Sequence, residues 1–136
     1  FATPADMLLH YGWKVVDPAE ACGNIDTYRE YILQSKGEWS VAKGGYANAK
    51  PGWFSCRSAC YLAAGRPVIV QDTGFDKVIP TGEGIFSFNT LEEARQHLLE
   101  VEENYSFHSK RARELADAYF DANKVLQHLV ITAMES

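Results

Sequence analysis

Gly52-Trp-Phe-Ser-Cys-Arg-Ser-Ala-Cys-Tyr-Leu-Ala-Ala-Gly-Arg-Pro-Val-Ile-Val-Gln-Asp-Thr-Gly74 contains, in order, a loop, a helix, a tight turn, a buried strand and a second loop. Ser55 has a side chain suited to an N-cap. Gly65 stands where a helix ends on a left-handed residue, and Pro67 keeps the helix from resuming. The spacing therefore predicts a helix over 56–64. Val68, Ile69 and Val70 form a continuous β-branched run, which suits a strand over 67–71 that is covered on both faces in a parallel sheet. Gln71, Asp72, Thr73 and Gly74 come just past its carboxyl end, the edge at which open α/β sheets bind ligands.

Toward the amino terminus, residues 4–10 read as a short helix, with Pro4 in its first turn and Met7 and Leu8 on its apolar side. Lys14 to Val16 reads as a strand. Asp17-Pro18 and Cys22-Gly23-Asn24 read as a loop leading to an Asp26 cap and a helix over 27–35, with Tyr28, Tyr31 and Ile32 on one face. A second strand is expected over 38–42. The glycine-rich stretch 43–52 is expected to be a long loop, the kind of segment that carries function in compact domains.

Toward the carboxyl terminus, 75–81 is irregular and 85–88 is a strand. Thr90 and Glu93 form a capping box for a helix striped by Leu91, Ala94, Leu98 and Val101. Ala112, Leu115, Ala116, Tyr119 and Phe120 line a following helix. Val125, Leu126, Leu129, Val130 and Ala133 line the last. Strands alternating with helices place the chain in the α/β class, as a Rossmann-like three-layer domain with a mainly parallel sheet, helices on both faces and C-terminal helices.

The 136 residues, 46% hydrophobic and 12% aromatic, are read as a single domain, residues 1–136. A formal net charge of −5 argues against a nucleic-acid surface, which needs clustered Lys and Arg. No apolar run is long enough for a transmembrane segment, and a cytoplasmic location is expected. Three cysteines, with Cys56 and Cys60 four apart on one predicted helix, are expected to stay reduced. Cys22, Cys56 and Cys60 lack a zinc-type spacing, and no metal site is expected.

Several residues are candidates for ligand binding. The helix beginning at Ser55 has unpaired N–H groups and a partial positive charge at its start, so Ser55 can cap the helix and also help hold an anion. Arg57, in the first turn, is disfavoured by the helix dipole unless an anion compensates it. Two readings stay open for it, a phosphate contact and a surface salt bridge. Gly44-Gly45 permits positive φ and close approach of a ligand, and serves turns equally well. Lys43, ranked above Lys50, can add charge. Asp72, Thr73 and Gly74 form either an ordinary turn or a set of polar ligand contacts. Trp53 or Phe54 can stack on a base, with at least one of them expected to fill core. His10, His97, His108 and His128 are scattered and receive no catalytic role.

The order Ala63-Ala64-Gly65-Arg66-Pro67-Val68-Ile69-Val70 resembles the helix, turn and apolar strand of the C-terminal domain of GT-B fold glycosyltransferases of the group 1 type, and Arg57, eight residues before Gly65, has the spacing of an arginine in one branch. Tyr11-Gly12-Trp13-Lys14-Val15-Val16 is similar to an upstream strand of that domain, 28–41 to its helix and strand, and Gly82 to Ala94 to the strand and helix that follow. The resemblance implies a domain that binds a nucleotide-sugar donor, with Lys43, Gly44, Gly45, Ser55, Arg57, Asp72, Thr73 and Gly74 as substrate-binding residues and Asp72 to Gly74 on the sugar. It also implies transfer of a glycosyl group to an acceptor hydroxyl with no cofactor and no obligatory metal. An N-terminal acceptor-binding domain of the same protein is the implied partner, which would leave this half inactive alone. The chain departs from the family where Gly52 and Cys60 stand at positions that often carry glutamate, Cys60 being read as a small residue in a buried helix. A noncatalytic Rossmann-like interaction or regulatory module with a degenerate donor pocket is therefore the alternative.

Overall fold

The structure, a computed structural model, describes residues 5–135. They fall into two compact units that divide after Gln34.

The first unit is helical. It contains α1 (Ala5–His10), α2 (Pro18–Ala21) and α3 (Ile25–Gln34). Pro4 lies outside the described residues. Met7 and Leu9 on α1 are exposed, and the helix buries no side chain. Lys14 to Val16 is not a strand: no ladder among the described residues pairs with it, and Trp13, Val15 and Val16 are exposed. A strand exists only through its partner, and an apolar pattern says nothing about where that partner lies. The expected loop over 17–24 contains a helical turn, α2, because the Asp17 side chain accepts from the Ala19 amide at 2.8 Å and Pro18 is pre-set for the first helical position. The cap of α3 is Asn24 rather than Asp26. Asn24 Oδ1 accepts from the Thr27 amide at 2.9 Å, and Thr27 Oγ1 accepts from the Asn24 amide at 3.1 Å.

The second unit is α/β. β1 (Glu38–Ser40), β2 (Val68–Gln71) and β3 (Ile85–Phe88) form a small open parallel sheet in the order β1-β2-β3. Side chains alternate faces along a strand. Ile69, Phe86 and Phe88 therefore share one face, where they pack with Ala94 and Val101 of α6 (Leu91–Glu103). Val68, Val70 and Ile85 are buried on the other face, and β2 contacts α5 (Cys56–Ala63). The continuous β-branched run of β2 thus matches a strand covered on both sides. The expected helix stripe on α6 is only half buried, since Leu91 and Leu98 are exposed.

α7 (Tyr105–Tyr119) packs on α5. Its Arg113 Nη1 donates to the Ala63 carbonyl at 2.6 Å and its Ser109 Oγ to the Gly65 carbonyl at 2.7 Å, so α7 caps the end of α5. That end is the expected one. Gly65 has φ +66°, its amide donates to Leu62, and the Arg66 amide reaches back to Tyr61. α8 (Ala122–Glu135) buries none of its side chains. Val125, Leu126, Leu129 and Val130, expected to line a packed face, are all half exposed or more.

Candidate functional site

A cleft of about 450 Å³ opens at the carboxyl ends of β1 and β2. Ser40, Val70 and Gln71 come from the strand ends, Lys43 and Tyr46 from the segment after β1, and Trp53, Phe54, Ser55, Arg57 and Ser58 from the loop and first turn of α5. Two strand ends and one helix start converge there because β1 and β2 are parallel neighbours and α5 runs into β2 through the Gly65-Pro67 turn.

The segment after β1 is not a continuous loop. Residues Gly44–Ala49 form a short helix, α4. Gly44 and Gly45 sit in its first turn without positive φ, open space lies where a Cβ would stand on either, and neither lines the cleft. Tyr46 to Ala49 tolerates helix, Lys50 ends it in the left-handed conformation at φ +46°, and Pro51 blocks its continuation.

α5 starts as expected. Ser55 Oγ accepts from the Arg57 amide at 3.3 Å, leaving the start of the helix on the cleft wall. Arg57 lines the cleft with its side chain about half exposed, and its Nε donates to Glu38 Oε1 at 2.7 Å. The anion that offsets the dipole at Arg57 is thus a carboxylate of the chain itself. It is a buried carboxylate rather than a surface one: the Glu38 side chain is 4% exposed. Ser40 Oγ also donates to Oε1, at 3.1 Å, while Oε2 is buried without a hydrogen-bond partner among the described residues. Ser58 is 1% exposed, lines the cleft, and its hydroxyl has no partner among the described residues. Glu38, Ser40 and Ser58 were missed by sequence reasoning. Ser58 was within reach, since Ser58, Tyr61 and Leu62 have the i, i+3, i+4 spacing of a buried helix face and all three are buried. The Glu38 pair is long-range and leaves no local signal.

The Asp72-Thr73-Gly74 loop is largely spent on the fold. Asp72 Oδ1 accepts from the Gly74 amide at 2.7 Å and Oδ2 from Lys50 Nζ at 2.5 Å. Thr73 Oγ1 donates to the Trp53 carbonyl at 2.5 Å, and the Gly52 amide donates to the Thr73 carbonyl at 2.8 Å. Gly74, at φ +88°, lies so near the chain that an added Cβ would stand 2.9 Å from the Lys50 carbonyl oxygen. Asp72 and Gly74 do not line the cleft; Thr73 does. Lys50, held by Asp72, is also outside it, whereas Lys43 is on its wall. Trp53 is half exposed and stacks on Tyr46 at 5.1 Å between centroids, while Phe54 packs on Phe75 and Phe120. Cys60 is exposed, not buried, and faces a separate groove between α5 and α7.

The Lys50 ammonium holds the Asp72 carboxyl below its ordinary value, and the Gly74 amide adds to this against the cost of burial. The same bond raises Lys50. A depressed carboxyl contributes stability above its unfolded value, near ~4, and loses it as pH falls through the folded value. A raised amine contributes below ~10.4 and loses it as pH rises. Parent stability should therefore drop more steeply below pH ~4 than that of Asp72→Asn, and urea unfolding from pH 3 to 7 measures it. Parallel slopes would show that the pair holds nothing.

Compared with known proteins, the chain matches no family model, no curated protein and no solved structure.

Proposed function

We propose that the cleft binds the diphosphate of a nucleotide-sugar and that the chain is the Rossmann-like donor-binding half of a glycosyltransferase. The observation that carries this reading is the Ser58 hydroxyl. It is buried in the cleft wall, without a partner among the described residues, on the first turn of α5 and in a cleft that Arg57 also lines. An unpartnered buried hydroxyl costs stability, and a ligand oxygen at that place would satisfy it. The helix start supplies oriented N–H groups, and Arg57 and Lys43 supply positive charge, the combination that favours phosphate. Trp53, half exposed at the mouth, offers a face on which a base can stack. In transfer, the same groups would stabilise negative charge on the departing diphosphate. No helix among the described residues is long and apolar enough to cross a membrane.

The use of Asp72 and Gly74 in holding the 50–53 segment favours the second reading, a binding module whose sugar contacts are lost. The two separate on one experiment. Nucleotide-sugars and the matching nucleoside diphosphates should both raise the thermal midpoint if sugar contacts persist, with the sugar form more effective; equal effects indicate a diphosphate pocket without a sugar subsite. No stabilisation by any of them at millimolar concentration would remove both binding readings.

Ser58→Ala should separate folding from binding. Loss of an orphan hydroxyl should leave stability unchanged or raise it by up to ~1 kcal/mol, while nucleotide affinity falls by ~0.5–1.5 kcal/mol. A destabilised variant with unchanged affinity would assign the hydroxyl to the fold.

A further inference from the structure

Glu38 begins β1, takes two hydrogen bonds on Oε1, and has a buried Oε2 with no partner among the described residues. A carboxylate removed from water with one oxygen bare is a costly way to fill a strand position. Its cationic partner among the described residues, Arg57, stands on the first turn of α5 and lines the cleft. Resting on the reading of that cleft as a diphosphate site, we propose that Glu38 is its resident counter-charge, a positioning residue that holds Arg57 on the cleft wall and competes with an entering phosphate for it. A diphosphate then meets a guanidinium already partly neutralised. Glu38 thus lowers affinity for the anion and eases its release.

Glu38→Gln isolates the charge. The amide oxygen can still accept from Arg57 Nε and Ser40 Oγ, and the NH2 group occupies the place of the bare oxygen. Affinity for a nucleoside diphosphate, measured by calorimetry, should rise roughly tenfold at low salt, and the gain should shrink as salt is added. Glu38→Ala loses the grip as well as the charge and should bind more weakly than Glu38→Gln. A packing role alone would move neither affinity nor its salt dependence. If the parent binds and Glu38→Gln binds equally or less well, the counter-charge is wrong and the diphosphate site stands. If neither binds at millimolar ligand, the site reading falls and takes this inference with it. Should Glu38→Gln fail to fold, the Arg57 Nε–H resonance of the parent decides: it should move when the diphosphate is added, and an unmoved signal alongside shifted cleft amides overturns the inference.

Discussion

Gly84→Ala should unfold this protein or leave it barely stable. Gly84 has φ +77°, and a Cβ there would stand 2.5 Å from the Ala112 amide nitrogen and 2.9 Å from its Cα. Those atoms are backbone of α7, so no side chain can swing aside. The contact is close because the Gly84 amide donates to His108 Nδ1 at 3.3 Å while its carbonyl accepts from Val68, tying α7 to the start of the sheet. Overpacking at ~1–3 kcal/mol and left-handed strain at ~1–2 kcal/mol add to roughly 2–5 kcal/mol, a large share of the ~5–15 kcal/mol that holds a domain. Gly82→Ala is the control. Its φ is +104°, but an added Cβ meets nothing within 4 Å, so it should cost the backbone strain alone. Equal urea midpoints for the two variants would mean that α7 yields.

Arg57→Ala should lose both binding and stability. Charge-assisted hydrogen bonds to phosphate suggest ~1.5–3 kcal/mol of affinity. Sequence alone suggests little effect on folding, because a first-turn arginine reads as a surface group. The structure revises this, since its removal strands the buried Glu38 carboxylate, an event that costs up to ~3–5 kcal/mol for a fully buried pair and less here, where Arg57 is half exposed. The double variant Arg57→Ala with Glu38→Gln should recover much of the stability and none of the affinity. If the single variant unfolds at the parent's urea midpoint, Glu38 does not depend on Arg57.

What the sequence made legible was local. The cap at Ser55, the left-handed Gly65, the capping box of Thr90 and Glu93, and the β-branched run of β2 each depend on residues a few positions apart, and each stands in the structure as expected. What stayed hidden depends on partners far along the chain. Lys14 to Val16 has the pattern of a strand and no ladder. α8 has the spacing of a packed face and no buried residue. Glycines 44 and 45 read as a flexible loop because the cost of glycine in a helix is averaged over its interior, whereas here both fall in the first turn. The edge of the sheet where the cleft lies was legible from the polar residues after β2. The division of labour there was not: Asp72 looked available and is held by Lys50, while Glu38 looked like a strand terminus and is the buried partner of Arg57.

If a diphosphate is held between the strand ends and the start of α5, amide NMR during titration with a nucleoside diphosphate will show it. Saturable shifts of residues 40–43 and 55–58 are expected, with Ser58 and Arg57 among the largest and α8 silent. No shifts at millimolar ligand, or shifts confined to α7 and α8, would contradict it.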